Sequence, residues 1–242
     1  MNLIIDVGNT LLKLAVFEAD ELQHKKTCIK SDFLEILDTI TENNKEIKNC
    51  IVSSVGAFTK HQLSQLEEKY PVSVLTHETK VPFKNLYATP STLGVDRIAL
   101  VSAAAAQYSG KNVLIIDAGS CITFDFLSSE SDYLGGAISP GVTMRYSALH
   151  KNTAKLPLLD PILPKSLIGN TTNTSIHSGV VNGVLNEIDG TIAAYRNNYE
   201  DLTVILTGGD AHFLRDSLKS DIFANSNFLL EGLNYILEHN KY

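Results

Sequence analysis

The stretch Leu3-Ile4-Ile5-Asp6-Val7-Gly8-Asn9-Thr10-Leu11-Leu12-Lys13 decides the fold. An apolar run ends on a carboxylate, a glycine-containing turn follows, and Thr10 and Lys13 begin a second apolar segment. Short apolar runs bounded by turn residues read as strands, and Gly8-Asn9 between two of them is a hairpin signal. The chain repeats the design at Leu114-Ile115-Ile116-Asp117-Ala118-Gly119-Ser120-Cys121-Ile122-Thr123, where Asp117 stands 111 residues after Asp6. Two strand–Asp–turn–strand units of one pattern point to a duplicated core.

Outward from the first unit, strands are expected over 2–6, 11–17 and 21–29, the last with the polar alternation of an exposed edge (Gln23, Lys25, Thr27). Asp32 and Glu35 have the spacing of a capping box ahead of a helix carrying Phe33, Ile36, Leu37 and Ile40. A buried strand follows from Asn49 to Val55, then a second capping box at Thr59 and Gln62, and a short strand at 72–75. Residues 77–94 hold Pro82, Pro90 and Gly94 in a loop longer than most, which marks it as functional or as a mobile linker. An Ala-rich helix runs to about Tyr108, and the domain boundary is drawn there, giving domains 1–110 and 111–242. The second half restarts with strands at 113–117, 121–127 and 133–139 and a helix through about His150. A long helix follows over about 173–198, whose Gly179 and Gly183 suggest close approach of another backbone. The remainder is a strand at 203–206, a helix capped by Asp210, and a last helix over about 229–239. The order is β-β-β-α-β-α-β and then a variant of it, an α/β arrangement with mixed sheets.

The 242 residues are 44% hydrophobic with a formal charge of -7, enough apolar content for real cores. The acidic balance argues against sequence-independent nucleic-acid binding, which relies on clustered Lys and Arg. Cys28, Cys50 and Cys121 are odd in number and set in apolar surroundings, as free thiols in a reducing cytoplasm would be. No signal peptide is read at the start, where Asp6 interrupts the apolar run, and no apolar run approaches the roughly 20 residues of a membrane span. His77, His177 and His212 lack ligand-like spacing, so no structural zinc is expected.

Backbone N–H groups of a glycine turn can point at a phosphate, Thr10 can add a hydroxyl, and Lys13 a cation. Asp6 repels phosphate, so its useful role is to hold Mg²⁺ or its waters. The repeat at Asp117 suggests a polyphosphate held between the two halves. No P-loop competes, since Ser109-Gly110-Lys111-Asn112 lacks both the upstream glycine and the hydroxyl after Lys. Gly135-Gly136 and Gly208-Gly209 end apolar strands, where ligands bind α/β sheets. Asp96 follows the long loop and opens a helix, so it reads either as a helix cap or as a carboxylate facing a pocket, with Arg97 beside it able to grip an anion.

Four motifs occur together and in order: Asp6-Val7-Gly8-Asn9-Thr10 with Lys13, Gly94-Val95-Asp96-Arg97, Asp117-Ala118-Gly119-Ser120 with Thr123, and Gly135-Gly136-x-Ile138-x-Pro140-Gly141. The set resembles the bacterial type III pantothenate kinases, from residue 2 to about residue 210. That family lies within the actin-like and sugar-kinase superfamily. The resemblance implies an α/β fold of two duplicated ribonuclease H-like (actin-like ATPase) domains, each a mixed sheet flanked by helices. It implies ATP-dependent phosphorylation of pantothenate to 4′-phosphopantothenate, the first step of coenzyme A biosynthesis, by a cytoplasmic homodimer. Asp6, Gly8, Asn9, Thr10 and Lys13 match the family's first phosphate motif, which binds ATP and Mg²⁺. Gly119, Ser120 and Thr123 match the second, with Ser120 where the family usually has Thr. Asp117 matches the carboxylate associated with a monovalent cation, K⁺ or NH₄⁺, and Asp96 the general base. Tyr87, Gly94, Val95 and Arg97 match the pantothenate pocket, as do His150 and Thr172, which the family supplies around a dimer interface. Thr171 and Thr174 compete with Thr172 for that match, and Gly208 and Gly209 fall near the adenosine side. The alternatives are a superfamily kinase for another small hydroxylated substrate and a non-catalytic accessory transcription regulator.

Overall fold

The computed structural model describes residues 1–54 and 58–241, so Val55, expected to end a strand, lies outside the described residues. In chain order the first strands are Asn2–Val7 (β1), Leu12–Glu18 (β2) and Glu21–Cys28 (β3), followed by helix Phe33–Asn43 (α1). Strand Asn49–Ser54 (β4), helix Lys60–Glu67 (α2) and strands Val72–Val74 (β5) and Lys84–Asn85 (β6) lead to helix Val95–Gln107 (α3). Then come Val113–Ala118 (β7), Cys121–Leu127 (β8), Asp132–Pro140 (β9), and helices Val142–Lys151 (α4), Thr172–His177 (α5) and Gly183–Asn198 (α6). Thr203–Thr207 (β10), Ala211–Leu214 (α7), Phe223–Ala224 (β11) and Phe228–His239 (α8) complete the chain.

Two compact units result. One comprises Met1–Ser109, Ser131–Tyr133 and Asn227–Tyr242; the other comprises Gly110–Glu130 and Leu134–Ser226. The first holds a sheet in the order β3-β2-β1-β4-β5, with β1–β2 and β2–β3 antiparallel and β1–β4 and β4–β5 parallel. In the second the order β9-β8-β7-β10-β11 repeats this strand for strand, with β7–β8 antiparallel and β7–β10 and β10–β11 parallel. The duplication read from Asp6 and Asp117 is therefore a duplication of topology.

β1 is buried at every position because both faces are covered, which its unbroken apolar run requires. Leu3, Ile5 and Val7 pack with Cys50 and Val52 of β4, with Phe33, Leu37 and Ile40 of α1, and with Leu66 of α2. Alternation along a strand sends Ile4 and Asp6 to the opposite face. There α8 packs on β1 and β4, and α3 on β4. A Cβ at Gly232 would run into the Ala99 carbonyl, so α8 meets α3 at backbone contact. Phe228, Leu230, Leu233 and Ile236 of α8 are all but fully buried. At about 1.5–3 kcal/mol each, their burial is worth on the order of 6–12 kcal/mol before entropy. Polar ties fix the same helix: Asn2 Nδ2 donates to Asn234 Oδ1 at 2.8 Å, and Asn234 Nδ2 donates to the Ala19 carbonyl at 2.8 Å.

Several local expectations change. The last helix belongs to the first unit, not to the half of the sequence it ends. The Thr59–Gln62 capping box forms, but Asp32 makes no cap hydrogen bond: it closes a 3₁₀ turn, and its carboxylate accepts from Ser31 Oγ at 2.6 Å. Asp210 does not cap α7 with its side chain. The helix expected over 173–198 is α5 and α6 joined by a π turn at Ser178–Asn182. A Cβ at Gly179 or Gly183 would meet nothing within 4 Å among the described residues, so none of these presses on them. The 77–94 loop is anchored by buried Phe83 and Leu93 and by β6, which pairs in parallel with Asp132 and Tyr133. It is no loose linker.

Candidate active site

The hairpin register sets the first cluster. Asp6 of β1 is the cross-strand partner of Lys13 of β2, so both side chains share a face, and Lys13 Nζ lies 3.7 Å from Asp6 Oδ2. Leu11 remains in the turn, whose Gly8 N–H donates to the Leu11 carbonyl at 3.1 Å, leaving Asn9 and Thr10 exposed. Asp6 is 5% exposed, and burial pushes its carboxyl up to about 6 despite Lys13; the nearby charge of Asp96 adds to the rise. A buried carboxylate with one cation at long range is short of positive charge.

Asp96 sits in the first turn of α3, after Gly94 as the N-cap residue. Its Oδ1 accepts the Arg97 backbone N–H at 2.9 Å, and its carboxyl folds back over Gly94, where a Cβ would collide with Oδ1. Oδ2 makes no hydrogen bond among the described residues. The carboxylate thus helps close the helix end with one oxygen and presents the other. Arg97 is buried, its guanidinium carbon 5.5 Å from the centre of the Tyr87 ring, a cation–π distance. Tyr87 stacks on fully buried Tyr133 with centroids 6.1 Å apart, and Phe83 meets the same ring edge-on. The loop that looked like a connection is the platform that holds Arg97.

In the second unit, β7 ends at Asp117 and Ala118, and Gly119-Ser120 is the two-residue link to β8, with the Gly119 N–H donating to the Cys121 carbonyl at 2.9 Å. Thr123 stands cross-strand from Asp117, as Lys13 does from Asp6. Its Oγ1 is buried without a hydrogen-bond partner among the described residues. Two glycines press on this turn. Gly208, at φ +96°, leaves no room for a Cβ against Asp117 Oδ1 and the Ala118 carbonyl, and Gly141 none against the Gly119 and Ser120 carbonyls. Asp210, whose carboxyl burial raises, donates its backbone N–H to the Ala118 carbonyl at 2.8 Å. Among the described residues no three His, Cys, Asp or Glu side chains converge. A cation at either aspartate would be held by one carboxylate together with water, backbone carbonyl or phosphate oxygens, the hard-oxygen set that Mg²⁺ and K⁺ accept.

A groove of about 1400 Å³ lies between α4 and α5 of the second unit, lined by Met144, Leu149, Thr172, Ile176 and Gly179 among others. Thr171 and Thr174 spend their hydroxyls on each other as a capping box for α5, whereas the Thr172 hydroxyl makes no hydrogen bond among the described residues. His150, near the end of α4, is exposed, and its Nδ1 lies 2.8 Å from the Leu156 carbonyl oxygen.

The family model that matches residues 2–194 is that of type III pantothenate kinase. The chain belongs to the type III pantothenate kinase family. A curated member from Christiangramia forsetii is 52% identical over 100% of this chain and 99% of its own length. Another, from Bacteroides fragilis strain ATCC 25285, is 43% identical over 99% of this chain and 98% of its own. Among solved structures, a Campylobacter jejuni protein described as belonging to the Baf family of transcriptional activators superposes with a TM-score of 0.63 at 23% identity, over 98% of each chain. A glucokinase from an Antarctic psychrotroph superposes at 0.54 and 12%, over 99% of each. Such likeness places the type III pantothenate kinase chain on the sugar-kinase fold of two ribonuclease H-like domains.

Of the residues matched to the family motifs, the first unit brings together Asp6 and Lys13 across one hairpin, Asp6 and Asp96 within each other's field, and Arg97 with Tyr87. The second brings Asp117, Thr123 and Gly208 together; Thr172 lines the groove and His150 is not among its lining residues. Tyr133, which seats Tyr87, and Ser53, the parallel partner of Asp6 on β4, were missed by motif reading. An aromatic after a Ser-rich turn and a Ser-Ser strand end are the only signals they leave.

Proposed function

We propose that this chain transfers the γ-phosphoryl group of ATP to the primary hydroxyl of pantothenate, giving 4′-phosphopantothenate for coenzyme A synthesis. The observation that carries the reading is the convergence of Asp6, Asp96 and the Arg97–Tyr87 pair in the first unit. Phosphoryl transfer needs positioning and charge neutralisation more than covalent help, plus a carboxylate to orient the attacking hydroxyl. Asp96 supplies it: with Oδ1 tied to the Arg97 N–H, Oδ2 accepts the hydroxyl proton. Arg97, held over the Tyr87 ring, grips the pantothenate carboxylate. Gly94 and Val95 line the same approach to α3.

The Gly8-Asn9-Thr10 turn and Lys13 bind phosphate oxygens, as do the Gly119-Ser120 turn and the hydroxyls of Ser120 and Thr123; the orphaned Thr123 Oγ1 fits a ligand that brings its own acceptors. Asp6 holds Mg²⁺, which when bound offsets phosphate charge. Asp117 holds K⁺ or NH₄⁺ with neighbouring backbone oxygens. The enzyme works in the cytoplasm, in keeping with three free cysteines, and no helix among the described residues is long and apolar enough to cross a membrane. A second copy of the chain docks on the α4–α5 groove, whose surroundings expose Met144, Leu167 and Ile168, and completes the pocket around His150 and Thr172. Gly179→Leu, which fills open space in one chain, lowers the dimer fraction in sedimentation; an unchanged dimer refutes this face.

The deciding assay is ADP release by the purified protein with pantothenate and ATP, with and without K⁺ or NH₄⁺. Asp96→Asn lowers turnover at least about 100-fold while ATP still binds. Near-normal turnover in that variant sinks the base assignment.

A further inference from the structure

Ser53 is the penultimate residue of β4 and the parallel register partner of Asp6 on β1. Register partners in a parallel pair point to the same face, and the opposite face is taken by Val7, Val52 and Cys50 in the α1–α2 core. Ser53 therefore stands beside Asp6 at the carboxyl ends of adjacent parallel strands, where α/β sheets receive ligands. The residue is 0% exposed, and its Oγ has no hydrogen-bond partner among the described residues. A buried hydroxyl left unpaired costs about 1–3 kcal/mol. A serine at a site of pure packing would be replaced at no loss by alanine. Other buried serines here are satisfied: Ser102 Oγ donates to the Ile98 carbonyl at 2.8 Å and Ser178 Oγ to the Leu167 carbonyl at 2.5 Å. Among the described residues Ser53 sets this unpaired hydroxyl beside a buried carboxylate whose one cation, Lys13, lies 3.7 Å away.

We propose that Ser53 is a positioning residue for the cation–phosphate site at Asp6, its hydroxyl holding a water that it shares with the Asp6 carboxylate. The water donates one hydrogen bond to the Asp6 carboxylate and the other to Ser53 Oγ, leaving its oxygen lone pairs for a divalent cation. The proposal rests on the reading of Asp6 as the Mg²⁺ carboxylate, and its test does not depend on pantothenate.

The experiment is Mn²⁺ binding to the protein–ADP complex, read by electron paramagnetic resonance without pantothenate, for wild type, Ser53→Ala and Ser53→Cys. Both variants bind Mn²⁺ about 10-fold more weakly, the usual scale for loss of an outer-shell partner. In turnover assays the Mg²⁺ concentration for half-maximal rate rises by a similar factor, with the pantothenate KM unchanged. Unaltered Mn²⁺ binding in Ser53→Ala overturns the proposal, as does wild-type affinity in Ser53→Cys alone, which would mean that volume and not the hydroxyl matters. Wild-type protein that fails to bind Mn²⁺ with ADP overturns it too. Wild-type protein that binds Mn²⁺ with ADP but does not turn over pantothenate refutes the functional reading and leaves this one standing.

Discussion

Asp6 carries a cost that the proposed cation-holding role would explain. Its carboxyl is raised from an ordinary 3.8 to about 6, chiefly by burial. A carboxyl raised on folding lends stability that is fully present below about pH 4 and is lost as pH climbs through 6. At pH 7.5 the ionised group opposes folding by on the order of 3 kcal/mol, the worth of about two pKa units. Asp6→Asn therefore raises the melting temperature of the nucleotide-free protein at pH 7.5, and the gap closes towards pH 4; calorimetry across that range checks it. If Asp6 holds the Mg²⁺ as proposed, the same variant loses at least about 100-fold in turnover, because a neutral amide is a poor ligand for a hard cation. Asp6 and Asp117 were legible in the sequence because a carboxylate at the end of an apolar run has no packing use. The Asp6–Lys13 contact was not, since it depends on how many residues the turn consumes: four in the first hairpin, two in the second. Ser53 was hidden for a different reason. Serine at a strand end is ordinary, and only the absence of a partner in three dimensions singles it out.

Elements were read with mixed success, and the failures share a cause. The strands of both repeats follow from their apolar runs, and the Thr59–Gln62 box formed because Thr59 has the extended backbone of a true N-cap. Asp32, with φ -94° and ψ 1°, is already turning, so its side chain cannot reach forward. Spacing alone cannot report that backbone angle. The box that was not foreseen, Thr171 with Thr174, uses Thr where Glu or Gln is usual. Glycine pairs show the same limit. Gly208 and Gly209 are equal in sequence, yet Gly208 is at φ +96° against Asp117 and Ala118, while a Cβ at Gly209 meets nothing within 4 Å. Gly208→Ala should thus destabilise by at least about 2 kcal/mol. Gly209→Ala stays within about 0.5 kcal/mol in urea unfolding.

At the scale of the molecule, cutting the sequence at 110 followed the restart of the repeat, and that restart is real. What one sequence could not reveal is that α8 returns to the first unit, because an amphipathic helix does not name the sheet it will cover. Asn234 is the polar residue that marks the choice, with hydrogen bonds to Asn2 and the Ala19 carbonyl from a helix that is otherwise apolar where buried. Asn234→Leu costs about 2–3 kcal/mol in urea unfolding by leaving Asn2 and that carbonyl short of a partner. Deletion of 227–242 removes the cover of α3 and leaves the first unit unfolded, as loss of its backbone exchange protection would show. Synthesis on the ribosome adds an order of events. The first unit begins the chain yet waits for its last helix, while the second is complete in sequence by residue 226. At about 5–20 residues per second, the wait between Ser109 and Asn227 is on the order of 10 s. Through that interval the nascent β1–β4 sheet and α3 stand with an apolar face open to chaperones or to other nascent chains. The half of the protein that is translated second is the half that can fold first.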